Sequence, residues 1–252
     1  SIHLSVRQTS VMVSRSMTRM RTKISLILTN LGLSKALTKS RSSRLKRTIT
    51  LGLAMVGLAL TALPAAADAK TEAYVQTNAS EVLATLNDPS LTAEERTKAF
   101  SVYMDKFTDL DAVSNFVIGK YSRRFTDAEL AAYRKAFRAY ALAVYESQLD
   151  DYRGKEVIVK DSVDRSADDS IVNTVIKRQD GKDMDVRWRV LNRDGKYQVV
   201  DVALNLDGNL IWLGIEQRAQ FIALLDRSNG SAEVLIKKIE SMTTELKTSK
   251  RS

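Results

Sequence analysis

The sequence predicts an α+β domain in which a twisted antiparallel sheet of about four strands is wrapped by helices. Three observations lead there. Apolar residues recur at spacings of three and four from Lys70 to Tyr145, the period falls to two between Lys155 and Asn205, and it returns to helical after Gly208. Helices, then strands, then helices again place the sheet in one block covered by helices from both ends of the chain. No internal repeat, low-complexity linker or second domain interrupts residues 68–252.

The elements follow in order. Val75, Ala79, Val82, Leu83 and Leu86 stripe a first helix over Lys70–Asn87, and Asp88-Pro89 ends it because proline disfavours a helical residue before it. Thr92 with Glu95 forms a capping box, opening a helix whose face carries Ala99, Phe100, Tyr103, Met104 and Phe107. Thr108 or Asp109 caps a short third helix through Val113, Phe116 and Val117, stopped at Gly119. The longest helix is predicted from Thr126 to Gly154: Thr126 and Glu129 make a second capping box, and Leu130, Tyr133, Phe137, Tyr140, Ala141, Val144 and Tyr145 share one apolar face.

Four strand-like runs come next, at Lys155–Val163, Ser170–Gln179, Met184–Arg193 and Lys196–Asn205. Asp180-Gly181 and Asp194-Gly195 read as hairpin turns, which require a positive φ that glycine supplies. Leu213, Ile215, Phe221, Ile222 and Leu225 then line a helix ending near Asn229-Gly230, and Val234, Leu235, Ile236 and Ile239 line the last.

Charge is unevenly distributed. Residues 1–67 hold Arg7, Arg15, Arg19, Arg21, Lys23, Lys35, Lys39, Arg41, Arg44, Lys46 and Arg47 and no acidic residue, which leaves 28 of the 39 basic residues against all 30 acidic ones in 68–252. The basic balance therefore belongs to the leader, and the domain carries no compositional argument for a nucleic-acid partner. Arg41–Arg47 is a positive n-region, Ile49–Leu63 an apolar run, and Pro64 leads into Ala65-Ala66-Ala67, a small-residue cleavage site. Residues 41–67 are expected to be a cleavable signal peptide, cut after Ala67 or, second, after Ala69. About fifteen apolar residues are shorter than the roughly twenty of a spanning helix, so an uncleaved anchor is the lesser reading. Residues 1–40 form an N-terminal extension to which no structure or role is assigned. Residues 68–252 are expected to be one domain of the periplasm, held by its core alone because the chain has no cysteine.

The residue inventory also narrows the chemistry. His3 is the only histidine, inside the leader, so residues 68–252 contain neither histidine nor cysteine. Ser-His-Asp and Cys-His catalysis and the usual zinc sites are excluded, and no glycine-rich phosphate loop is present. Asp161, Asp164, Asp168 and Asp169 crowd one predicted turn, and Asp183 and Asp185 follow another; their spacing matches no calcium loop, and a solvated connection is the expected reading. Asp201, between Val200 and Val202 in a strand, faces water or pairs with Arg187 or Arg189. No cofactor and no metal are expected.

Several blocks in order then carry a resemblance. Val117-Ile118-Gly119-Lys120-Tyr121, Arg123-Arg124-Phe125-Thr126, the long helix with Phe137 and Tyr145, and Tyr152-Arg153-Gly154 resemble the MlaC family of periplasmic phospholipid-shuttle proteins, also called toluene-tolerance proteins. Val186-Arg187-Trp188-Arg189-Val190, Gly195 to Val202 and Arg218-Ala219-Gln220-Phe221 are similar to that family's later blocks, so the likeness spans roughly Ala73–Ile239. The chain departs from the pattern at Ser122, where the family tends to carry an aromatic, and at Tyr197, Asn209 and Gln217, where it favours Trp, Ser and Tyr.

The resemblance implies an NTF2-like or cystatin-like fold with acyl chains buried between sheet and helices. It implies a non-enzymatic carrier that shuttles phospholipid between an outer-membrane lipid-extracting lipoprotein complex and the lipid-binding subunit of an inner-membrane ABC transporter, maintaining outer-membrane lipid asymmetry. Cavity candidates are Val117, Ile118, Tyr121, Phe125, Phe137, Tyr140, Val144, Val175, Trp188, Val190, Val199 and Leu210, for each of which ordinary core packing is the competing role. Tyr121, Arg123 and Arg124 are candidates for a headgroup phosphate. A hopanoid or other long-chain lipid is the alternative cargo, and an exported enzyme using Asp201 or Tyr121 in acid/base work is the rival from another class.

Overall fold

A computed structural model describes residues 69–149, 154–206 and 208–251. The expected signal peptide, its cleavage site and residues 1–40 lie outside the described residues. Helices α1 (Ala69–Leu86), α2 (Ala93–Phe107), α3 (Leu110–Ile118) and α4 (Asp127–Val144) precede strands β1 (Glu156–Ser166), β2 (Asp169–Lys177), β3 (Met184–Arg193), β4 (Lys196–Leu206) and β5 (Asn209–Trp212), and α5 (Leu213–Arg227) and α6 (Ala232–Arg251) close the chain. The fold is α+β, as predicted, with one open sheet in the order β1-β2-β3-β4-β5 and every neighbour antiparallel.

Local signals set most boundaries. The Thr92 and Thr126 side chains each accept from the backbone N–H three residues on, and Glu95 and Glu129 reach back to accept from the cap residue's own N–H, so both capping boxes are complete. Of the two candidates for the α3 cap, Asp109 serves: its Oδ1 accepts from Ala112 N at 2.9 Å. Gly119 ends α3 with φ +54°, and a short 3-10 turn over Gly119–Arg123 leads toward α4. At Asp194-Gly195 both residues have positive φ, 52° and 82°, the geometry of the tightest hairpin turn.

Four expectations are corrected. The helix predicted to run unbroken to Gly154 is regular only through Val144; a wider π turn over Tyr145–Leu149 follows and sets the Tyr145 ring against Phe100, centroids 3.9 Å apart and nearly parallel. Gly154 is required for a different reason from a helix stop: a Cβ there would collide with Ile176 Cγ2 and lie 2.8 Å from the Lys177 carbonyl oxygen. The aspartates expected in one turn are spread along two strands, because β1 and β2 extend to leave a connection at residues 167–168; Asp161 and Asp164 lie in β1 and Asp169 in β2. Last, the sheet has a fifth strand, β5, whose four residues are too few to display an alternation.

The sheet margins are covered by single residues from the helical half. α1 lies over β1 and β2, and Gln76 presents its amide to the outer rim of β1, donating to the Val157 carbonyl at 2.7 Å and accepting from Val159 N at 3.1 Å. One side chain thereby satisfies two backbone groups that an edge strand would expose. On the opposite margin β5 pairs with residues 203–206 of β4, while Thr108, between α2 and α3, bridges Val199 farther along the same strand. α4 packs along α6, and α5 packs against α3 and β4. Among the described residues no helix is long and apolar enough to cross a membrane.

Candidate lipid-binding site

The buried apolar side chains divide into three clusters. The largest belongs to the helices and includes Val117, Ile118, Tyr133, Phe137, Phe221, Leu225, Leu235 and Ile239. Two smaller ones involve the sheet: Val186, Leu204 and Ile211 near β5, and Val172 and Val190 with Val75 of α1. Trp188 packs against both sheet clusters. Its indole Nε1 donates to Thr174 Oγ1 at 2.9 Å, and that hydroxyl donates to the Val186 carbonyl at 2.8 Å, so the ring's polar end is anchored and its apolar body bridges the clusters.

Strand register decides which candidates meet. Thr174, Val186 and Leu204 are successive cross-strand partners, as are Val172, Trp188 and Val202, while Val190 pairs with Val199 across an irregularity in β4. Partners directly opposite share a face, so Trp188, Val190 and Val199 lie together. Val175 pairs with Ile158 and Asp185 and points to the other side of the sheet, away from them. Leu210, in β5 opposite Asn205, is exposed. Val117, Ile118, Tyr121, Phe125, Phe137 and Tyr140 are all buried in the helical cluster, with Val144 packed against it. The expected residues thus form a helical set and a sheet set, with Val175 and Leu210 apart from both.

The polar groups near these sets are largely committed. The Tyr121 hydroxyl donates to Asp226 Oδ1, Lys120 Nζ stands 3.2 Å from the same oxygen, and the Arg124 guanidinium lies 5.3 Å above the Tyr121 ring. The Asp226 contact pushes the phenol up, and the phenol in turn holds the Asp226 carboxyl below the usual carboxylate range. Gly230 accommodates this ring, since a Cβ there would approach Tyr121 Cε1 to 2.9 Å. Tyr121 therefore ties the 3-10 turn to the α5–α6 corner. Arg124 stacks on it and Arg123 ends the turn. Deeper in the helices, Tyr133 donates to the Ser114 carbonyl at 2.7 Å, and burial pushes the Tyr140 phenol up to about 12.

Asp201 is 9% exposed and faces α5. Its Oδ1 accepts from Gly214 N and from Val202 N, both at 2.8 Å. It thereby caps α5 from a neighbouring strand, a task that the residue before the helix, Trp212, does not perform with its own side chain. A Cβ at Gly214 would lie 3.0 Å from the carboxylate, so the close approach needs glycine. Burial pushes the carboxyl above its usual range, opposed by the backbone N–H donors and by Arg189. Arg189 itself makes two hydrogen bonds to Asp169, at 3.1 and 2.9 Å. Two other aspartates of that region are also engaged: Asp164 accepts from Ser170 and Asp161 from Asn173.

Two residues near the candidates were not among them: Tyr74, which the sequence did not single out, and Gln217, which it marked only as a departure from the family pattern. Tyr74 stacks on Tyr197 with centroids 5.0 Å apart and donates to the Tyr197 carbonyl at 3.2 Å. Gln217 is buried on α5, and the apolar residues that frame it at four-residue intervals, Leu213 and Phe221, were the available signal. A polar cleft of about 580 Å³ lies elsewhere, lined by Asp109, Arg134, Lys135, Arg138, Lys196 and Gln198 among others, and contains none of the candidates.

No curated protein matches the chain. Among solved structures, the chain is similar to the phospholipid-binding protein from Ralstonia solanacearum in complex with a phospholipid, with a TM-score of 0.57 and 21% identity over 69% of this chain and 97% of that one. That likeness shows the fold. The model of the MlaC protein family matches residues 76–241, from α1 into α6, and the chain belongs to the MlaC family.

Proposed function

We propose that this protein is a phospholipid carrier of the periplasm, without catalysis, that receives lipid from an outer-membrane lipoprotein complex and exchanges it with the lipid-binding subunit of an inner-membrane ABC transporter. The observation that carries the reading is the family match over residues 76–241, which takes in both the helical layer and the sheet. The similar Ralstonia solanacearum protein is in complex with a phospholipid, and the division of this chain's apolar interior into a helical cluster and sheet clusters supports placing acyl chains between the two.

The physical need for such a carrier is large. About thirty methylenes at ~0.8 kcal/mol each amount to roughly 24 kcal/mol of apolar surface that a lipid would expose in crossing water alone. Val117, Ile118, Phe125, Phe137, Tyr140 and Val144 are the proposed helical wall, and Trp188, Val190 and Val199 the proposed sheet wall. Tyr121, Arg123 and Arg124 are the proposed headgroup contacts, Arg123 and Arg124 supplying the charge because the Tyr121 hydroxyl serves Asp226. Against the enzyme reading, Asp201 is occupied as a helix cap, which supports a carrier rather than acid/base work.

The test is native mass spectrometry of the protein purified from a bacterial periplasm without detergent, with organic extraction of what it holds. A discrete adduct of phospholipid mass is expected; a hopanoid would move the cargo to the alternative. A clean apo mass, with no lipid taken from vesicles either, would sink the proposal. N-terminal sequencing of the same material is expected to begin near Asp68.

A further inference from the structure

Helix α5 carries Leu213, Gln217 and Phe221 at successive four-residue intervals, one above another on a single stripe. The two ends of that stripe belong to different layers. Leu213 packs into the sheet cluster of Val186, Leu204 and Ile211, whereas Phe221 is buried in the helical cluster, its ring edge-on to Phe137 at 6.5 Å. Gln217 lies between them, 6% exposed, and no described protein atom accepts from its buried Nε2. Gln220, three residues on, has an Nε2 in the same condition. An amide donor therefore meets no acceptor where the helical and sheet layers adjoin, and a second lies less than one turn further along the same helix.

An unpaired donor at such a depth is destabilising, and an apolar residue of the same volume would remove the cost. The nearby polar groups do not answer it: the Asp201 carboxylate accepts from backbone N–H groups, and Arg218 donates to the Phe116 carbonyl and lies over the Phe116 ring. A neutral amide in an apolar setting also selects its partner. It cannot compensate a desolvated phosphate, but it suits a neutral acceptor that arrives attached to apolar chains.

We infer that Gln217, with Gln220 beside it, donates to an acyl ester carbonyl of the bound lipid and so recognises ester-linked chains; this deepens the carrier reading above and rests on it. The chains extend between the two layers, and the ester group sits where α5 passes from one to the other.

The test is a competition. The protein is incubated with phosphatidylcholine vesicles containing equal amounts of ester-linked and ether-linked lipid of the same chain length, and the lipid recovered with it is counted by mass spectrometry. One neutral hydrogen bond predicts enrichment of the ester form by about three- to tenfold. Gln217→Leu is expected to bring the ratio close to one. If the wild-type protein takes both lipids equally, as it would were the amides satisfied by buried water, the inference falls and the carrier reading stands. An undiminished ester preference in a folded Gln217→Leu variant also overturns it. Uptake of neither lipid by the wild-type protein overturns the carrier reading itself. Should the variant fail to fold, the wild-type ratio alone decides.

Discussion

In the helical layer Ile118, Tyr133, Leu225, Leu235 and Ile239 are completely buried within one cluster that joins α3, α4, α5 and α6. On the sheet face bearing Val172, Val186 and Val190, burial is divided between two clusters, and Trp188, Val199 and Val202 between or beside them stay partly exposed. The helices thus complete a core among themselves, while the sheet presents an apolar face that its helical cover closes only in part. Substitutions deep in the helical core, away from the proposed helical wall, are expected to cost stability first, and substitutions on the partly open sheet face to cost lipid retention first.

The largest effect comes from the helical side. Leu235→Ala removes a fully buried side chain and is expected to cost about 2–5 kcal/mol in urea unfolding, with lipid lost only as the protein unfolds. Trp188→Ala should do the opposite. Because the ring is partly exposed, its removal is expected to cost no more than about 2 kcal/mol while most co-purifying lipid is lost. Equal stability losses with full lipid retention in the Trp188 variant would abolish the distinction between the layers.

How much of this was legible in the sequence follows from the range of the interactions. The two capping boxes, the Asp109 cap and the Asp194-Gly195 turn are completed within a few residues, and each appears where the sequence put it. Phe137, Tyr140 and Val144 fell together because one 3.6-residue period fixes their common face on α4, and Val117, Ile118, Tyr121 and Phe125 join them through the packing of α3 and the turn that follows it. The sheet side was harder. Val175 departs from Trp188 and Val190 because the regular β2–β3 register sets it opposite Asp185 on the other face, and β5 is fixed by its contact with β4 more than by its own four residues. Gln76 on β1, Asp201 on α5 and Tyr121 on Asp226 join residues 81, 13 and 105 positions apart, and no local pattern announces such contacts.

Two of these distant contacts sharpen the comparison at a smaller scale. Gln76→Leu deletes both hydrogen bonds to the rim of β1 and is expected to cost about 1–2 kcal/mol, with faster hydrogen exchange confined to β1 and unchanged α5–α6 protection. Asp201→Ala removes the cap of α5 and should cost about 1–2 kcal/mol, whereas Asp201→Asn keeps an acceptor and should stay within about 1 kcal/mol of wild type. The pH dependence has a definite sign. A carboxyl raised above its unfolded value binds its proton more tightly in the folded state, so its contribution falls as pH climbs through that window. Asp201→Asn is therefore expected to remove a decline in stability above the ordinary aspartate range. Lipid content should stay unchanged, an outcome that a catalytic role for Asp201 does not require.

The smallest effect belongs to Tyr121 and Asp226, at the corner of the helical layer where the buried Tyr121 ring meets a half-exposed carboxylate. Asp226 is held below the usual carboxylate range, first by the Tyr121 hydroxyl and then by Lys120, so the stability it contributes is present above its unfolded value and is lost as pH falls through the depressed one. Tyr121 is shifted the other way, so its contribution is lost only as pH rises beyond the ordinary phenol range. Asp226→Asn should flatten the acid limb of the urea midpoint between about pH 2 and 5, and Tyr121→Phe should flatten both limbs by lowering the neutral midpoint slightly toward the values at the two extremes. Were Tyr121→Phe instead to release lipid at neutral pH with its stability intact, the hydroxyl would have to exchange Asp226 for the headgroup when lipid binds. The corner would then belong to the binding site as well as to the helical core, and the division between the layers would shift to include it.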